Sequence, residues 1–257
     1  MKTFTLIFTL FFCTIFAQRN LAFDSLSFRD AKDFFADDYG NIYLYKNKDL
    51  SFTKYDSLGN QKGKIMLALP FKIQSVQNPL TISSFSENAQ ELRFFDQNLN
   101  DIQTIDFREK FGFIKMAYAE DLQQIWLLDD STKRLLQYNF RDDRTINSYP
   151  FFIDFETIVD FIVFENKCYV LTKTDLNVYN FTSEKIWSIP FNNGKRLRRE
   201  NQDLFIIGEN TIQKLEKESL KVMFRAENSQ IVDKNSRANF AIKDNKLYLY
   251  PIKKDKR

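Results

Sequence analysis

The densest chemistry in the sequence is the run "NNGKRLRR" at residues 192–199. Its Asn-Asn-Gly turn leads Lys195, Arg196, Arg198 and Arg199 into a strand-like segment. Alternation along a strand sets Arg196 and Arg198 on one face and Leu197 and Arg199 on the other. Guanidinium groups so placed suit carboxylates, phosphates and sulfated or acidic sugars, which they bind bidentately. A solvated charged loop, paired with Glu200, is the plainer reading of the same residues. Two further segments mix bases with aromatic rings. "REKFGF" at 108–113 carries Arg108, Lys110, Phe111 and Phe113, and "FFIDFE" at 151–156 carries Phe152 and Phe155. In a chain with 28 Phe, such rings serve equally well to plug a channel, to pack between elements, or to form an exposed patch for a protein or glycan partner.

Covalent and acid–base chemistry is more restricted. The chain has 0 His, which removes His-ligated metals, Ser-His and Cys-His pairs and any His general base. The acid pairs Asp129-Asp130 and Asp142-Asp143 occupy adjacent positions, which point to opposite faces of a strand. Neither pair can chelate or act as an acid/base couple by itself. A calcium- and carboxylate-dependent hydrolase or lactonase, drawing on Asp33, Asp154 and Asp160, stands as the alternative to a non-catalytic protein. No catalytic residue, metal ligand or cofactor is assigned. Lys and Arg number 37 against 34 Asp and Glu, a balance that gives no reason to expect nucleic acid as a partner.

The first 17 residues, "MKTFTLIFTLFFCTIFA", stand apart. Lys2 precedes an uncharged, Phe-rich run, and Ala17 precedes the polar "QRN", the layout of a Sec-type signal peptide. The run is too short for a spanning helix. Cys13 follows Phe12 instead of a small residue, which argues against a lipidated cysteine. Cleavage after Ala17 is expected, giving an exported chain over 18–257 with no transmembrane segment, periplasmic or at the cell surface. An uncleaved membrane anchor is the competing reading. Cleavage leaves Cys168 unpaired, in the apolar pattern "NKCYVLT", where packing is expected instead of reactivity.

The elements that must position these residues are short strands, and they recur. A turn pair followed by an apolar strand appears at Asp37-Asp38, Gln77-Asn78, Glu120-Asp121, Glu165-Asn166, Glu200-Asn201 and Asp244-Asn245. Large apolar–polar pairs close the next strand at Tyr55-Asp56, Phe95-Asp96, Tyr138-Asn139, Tyr179-Asn180 and Leu215-Glu216. A Phe, often after Pro, ends the one after that, at Phe71, Phe107, Phe151, Phe191 and Phe224. Proline lacks a ladder donor and suits an outermost strand. Scarce Gly leaves left-handed turn positions to Asn.

Four-stranded units recurring roughly every 40 residues are the mark of propeller blades. The fold is therefore expected to be all-β, a six-bladed β-propeller of four-stranded antiparallel blades. The sixth unit ends early, and "FDSLSF" at 23–28 matches "YDSLGN" at 55–60. N-terminal strands are thus expected to complete the last blade and close the ring, with Phe28 in the place of the strand-ending Phe. An α/β barrel needs an amphipathic helix per unit, and none is present. On these markers the chain resembles the broad group of exported six-bladed β-propellers that includes NHL-type and TolB-type repeats. The markers are structural, and the blades lack a Trp-Asp signature, so no single functional family is carried over.

In a propeller the connections between blades meet at one mouth of the central channel. The basic-aromatic segments above are expected there, as a surface for a protein or glycan partner in the cell envelope. A structural subunit of an outer-membrane or secretion complex is a further alternative.

Overall fold

The computed structural model describes residues 26–252. The first blade comprises β1 (Ala31–Ala36), β2 (Ile42–Lys46), β3 (Ser51–Tyr55) and β4 (Gln61–Met66). The second comprises β5 (Lys72–Ser75), β6 (Ile82–Ser86), β7 (Glu91–Phe95) and β8 (Asp101–Asp106). The third holds β9 (Ile114–Ala119), β10 (Gln124–Asp129), β11 (Arg134–Asn139) and β12 (Arg144–Pro150). The fourth holds β13 (Ile158–Phe164), β14 (Lys167–Thr172), β15 (Asp175–Tyr179) and β16 (Lys185–Pro190). The fifth runs through β17 (Gly194–Glu200), β18 (Asp203–Gly208), β19 (Thr211–Glu216) and β20 (Ser219–Arg225). The sixth contributes β21 (Ile231–Lys234), β22 (Ala238–Lys243) and β23 (Lys246–Pro251). Every pairing is antiparallel, each sheet is a meander in chain order, and the result is a six-bladed β-propeller.

The ring is held by six apolar cores, one between each pair of neighbouring blades. A blade sandwiched this way is apolar on both faces of its second strand. That is why "IYLY", "QIWLL" and "CYVLT" read as continuous apolar runs and do not alternate. The core between the sixth and first blades joins Phe34, Ile42 and Leu44 to Ile231, Phe240 and Ile242. There β1 also lies alongside β21, so the inner strands themselves close the circle.

The repeated markers acquire distinct roles. Phe71, Phe107, Phe151 and Phe191 each enter the core between their own blade and the next. Phe28 does the same at the sixth interface, with Leu26 packed beside it. At the fifth interface Ala226 takes this place, two residues beyond Phe224, and its N–H bonds Asn210 O as Phe191 N–H bonds Thr174 O. Pro150 and Pro190 end their outer strands as expected, whereas Pro70 lies in the connection from β4 to β5.

In the first four blades the polar member of the second marker caps the turn between the third and fourth strands. Asp56, Asp96, Asn139 and Asn180 each accept two downstream backbone N–H groups on one side-chain oxygen. Asn also fills left-handed positions, at Asn166, Asn193, Asn201, Asn228 and Asn245. Glu165 and Asn166 both have positive φ, the geometry of the tight hairpin turn that matches strand twist.

One element differs from the sequence reading. Asp244-Asn245 joins β22 to β23, so "LYLY" is a third strand and not a second. The sixth inner turn is instead at Asn235, whose Oδ1 accepts the N–H of Arg237 and Ala238. The sixth blade thus needs only one strand from the N-terminal side. That expectation rests on residues 23–28, of which 23–25 lie outside the described residues, as does the expected signal peptide at 1–17.

Cys168 is fully buried in the core between the third and fourth blades, and burial pushes its thiol pKa up. With the chain beginning at residue 18, a thiol reagent should label Cys168 only after denaturant is added. Rapid native labelling would contradict the packing. Asp96 is held below its ordinary value, first by the Asn100 side-chain amide and then by backbone N–H groups. Its folded pKa lies below the unfolded one, so its contribution is present above about pH 4 and fades as the pH falls through the folded value. Denaturant midpoints measured from pH 7 down to pH 2 should therefore fall less steeply for Asp96→Asn than for the parent. Superimposable curves would refute this.

Candidate functional site

Each of the first five inner strands carries a bulge, at Lys32, Gln74, Lys115, Val159 and Lys195. A bulge bends the strand and re-aims the side chains that follow it. The polar residues after it converge on the axis. Arg196, on β17, forms ion pairs with Asp33 of β1 and, at 3.0 Å, Asp233 of β21, and its Nη2 donates to Phe34 O at 2.8 Å. Arg198 donates from Nε to Glu200 at 2.7 Å and lies 3.3 Å from Asp233 through Nη1. Asp233 is wholly buried, and its other oxygen accepts the Ala36 N–H at 2.8 Å. Lys234 completes the cluster on Glu200. Burial alone would lower the Arg196 pKa, but the carboxylates of Asp33 and Asp233 more than offset it and raise the value further.

Across the axis, Lys72 of the second blade reaches the fourth, donating to Val159 O at 2.6 Å and Asp160 Oδ1 at 2.7 Å. Asp160 Oδ2 accepts the Leu197 N–H at 2.7 Å, which joins the fourth and fifth blades. Gln74 spans the second and third, donating to Ala117 O and accepting from Ala119 N–H. Lys72 and Asp160 sit near the starts of their strands and bridge the channel there. Above this bridge lies a cavity of about 730 Å³, bounded by the inner strands and by the turns that follow them at Gln77-Asn78, Glu120-Asp121 and Asn201. It opens at the mouth formed by those turns, opposite the mouth where one blade connects to the next.

Of the nine residues singled out in the sequence, Arg196 and Arg198 line this cavity. Their guanidiniums belong to the ion-pair cluster, and the two side chains share a face while Leu197 enters the core between the fourth and fifth blades. Lys195 donates to Gln230 O at 3.0 Å, and burial lowers its pKa. Arg108 bonds Ala89 O at 2.7 Å and Glu91 at 3.3 Å. Lys110 pairs with Asp143 and with the Tyr138 hydroxyl at 3.2 Å. Phe111 packs edge-on against Tyr138, and Phe155 is 1% exposed inside the core between the third and fourth blades. Both are packing rings. Phe113 and Phe152, at 42% and 74%, are the exposed ones. These seven do not gather into one surface at the axis.

The sequence reading passed over Gln74, Tyr118 and Glu120, which line the cavity. The available signal is their shared place, at or just before a turn pair, but a feature repeated in every blade reads first as structural. Both roles hold. Asp121 Oδ1 accepts the N–H of Gln123 and Gln124, and Glu120 accepts from Trp126 Nε1 at 2.8 Å, yet these same turns frame the mouth. Asp33 and Asp160 are bound to cations, and Asp154 caps the Glu156 N–H, so the three carboxylates considered for calcium do not meet. Among the described residues no cluster of three or more His, Cys, Asp or Glu forms a metal site, and no helix is long and apolar enough to cross a membrane.

The architecture and its axial cavity define a six-bladed β-propeller. Its fold is similar to that of a streptogramin B lyase, with a TM-score of 0.53 and 12% identity over 90% of this chain and 86% of that one. BamB from Moraxella catarrhalis is similar at a TM-score of 0.44 and 10% identity, over 87% of this chain and 83% of that one. At 12% identity the first of these shows the fold alone. No known family matches the sequence, and no curated protein matches it.

Removing one partner of a buried ion-pair cluster leaves an uncompensated charge, which costs about 3–5 kcal/mol. Asp233→Ala should lose that much stability in urea titrations. Asp203→Ala, which removes an exposed pair with Lys214 at 2.8 Å, should lose about 1 kcal/mol or less. Equal losses would show that the axial cluster holds nothing together.

Proposed function

We propose that the protein is an exported, non-catalytic binding propeller of the cell envelope. It takes a protein or glycan partner at the turn-lined mouth of its axis. The observation that carries this reading is the axial cavity, bounded by Asp160, which pairs with Lys72 across the axis, and walled by side chains most of which are held in place by one another. Such a site is pre-organised: it presents a fixed pattern of donors, acceptors and ring faces without having to order them on binding. Chemistry would need a nucleophile with its base, or a carboxylate pair free to exchange protons. The cavity's buried cations and acids are instead tied to one another. Export is supported by Lys2 and the uncharged run that follows it in the sequence.

The test uses the chain from residue 18 as bait against solubilised envelope of the native host. Gln123 lines the mouth, is exposed, and has no side-chain hydrogen-bond partner among the described residues, in a turn that Asp121 caps. Gln123→Trp should narrow the mouth, abolish capture of the retained partner and leave the thermal midpoint unchanged. Arg108→Ala, at the opposite mouth, should capture as the parent does. Capture unaffected by Gln123→Trp would overturn the assignment of this mouth, and chemical turnover of the retained partner would overturn the non-catalytic reading.

A further inference from the structure

The cavity holds one guanidinium that is not neutralised. Arg196, Arg198 and Lys72 each face carboxylates, whereas Arg199 forms no ion pair among the described residues. Its position is nonetheless fixed. The guanidinium carbon lies 4.0 Å from the centre of the Phe164 ring, Nε donates to Asn201 O at 3.0 Å, and Tyr118 of the third blade lines the same cavity. A stacked, half-buried Arg in a cavity wall suits a planar oxyanion, because stacking already holds the fork in place. A second signal lies deeper in the same wall. Arg198 Nη2 is buried and has no hydrogen-bond partner among the described residues, a donor left unmatched in a residue that lines the space.

The remaining lining decides what the oxyanion belongs to. Glu120 and Asp121 stand at the same mouth, so a doubly charged phosphate would meet as much repulsion as attraction, and a single carboxylate fits better. Around it are neutral planar amides, Asn78, Gln123 and Asn201, each able to donate to and accept from hydroxyl groups. A cavity of about 730 Å³ lies within the range of small-ligand sites.

Deepening the binding reading above, on which it rests, we propose that the axial cavity binds a short acidic saccharide of the uronate type. The carboxylate sits on Arg199 with the Tyr118 hydroxyl beside it, and the ring hydroxyls are read by the amides of the mouth.

Calorimetric titration of the chain from residue 18 tests this with four probes. They are a glucuronate-terminated oligosaccharide, its neutral glucose-terminated counterpart, a sugar phosphate, and a short peptide with a free C-terminal carboxylate. The glucuronate probe should bind at least tenfold more tightly than each of the others. Arg199→Gln should weaken it at least tenfold while leaving the affinity for the neutral sugar and the thermal midpoint unchanged. Tyr118→Phe should weaken it less. Equal binding of the uronate and neutral sugars would overturn the inference while sparing the cavity as a glycan site. Preference for the phosphate or the peptide would also overturn it, as would an Arg199→Gln variant that binds like the parent, or no binding at all. A partner captured through the Gln123 mouth would still uphold the binding function in that last case.

Discussion

Two arginines on one inner strand and two aspartates on two others meet at the axis, and the ring depends on that meeting. Arg196 and Arg198 come from the fifth blade, Asp233 from the sixth and Asp33 from the first. Charges taken out of water in this way are costly unless each finds partners on several sides. The cluster supplies them: Asp233 forms ion pairs with both arginines and accepts the Ala36 N–H, and Arg196 also donates to Phe34 O and lies over the Phe35 ring. The same bonds therefore satisfy the polar groups of the inner strands and fix three blades relative to one another. On the far side, the Lys72–Asp160–Leu197 bridge and Gln74 do corresponding work.

Outside this polar axis the structure is held by apolar contact. Each blade is flanked by two cores, and each interface receives a Phe from the end of an outer strand or the connection after it, the fifth from Phe224 beside Ala226 and the sixth from Phe28. The aromatic content is thus a consequence of the architecture. Wedge-shaped gaps between radiating sheets are filled by large flat rings, with pairs such as Tyr43–Phe52 stacked at 5.6 Å and Phe111–Tyr138 edge-on at 5.0 Å. No disulfide is needed within the described residues, where Cys168 is one more core side chain.

The blade repeat was legible because its markers are local. A side-chain cap such as Asp56 or Asn180 acts within four residues, and strand-ending Phe residues follow from the blade that carries them. The sixth blade was misread by one strand because its inner turn at Asn235 lacks the acidic or amide pair seen elsewhere, while the later Asp244-Asn245 turn mimics it. The site was less legible. "KRLRR" was visible as a cationic strand, and the shared face of Arg196 and Arg198 followed from alternation. Their partners did not follow: Asp33 is 163 residues from Arg196, and nothing local to either announces the pair. The arginines that looked most available are the ones already neutralised. Arg199, stacked on Phe164 of another blade, is the one that forms no ion pair among the described residues.

If the axial cluster fixes the blades and shapes the cavity, its backbone donors should be among the best protected in the molecule. Native-state hydrogen exchange at Ala36 and Leu197 measures this directly, because these N–H groups donate to Asp233 and Asp160 instead of to a neighbouring strand. Both amides should exchange only through global unfolding, with the same denaturant dependence as core amides of β10 and β14. Exchange at either site through local opening, independent of denaturant, would contradict the account.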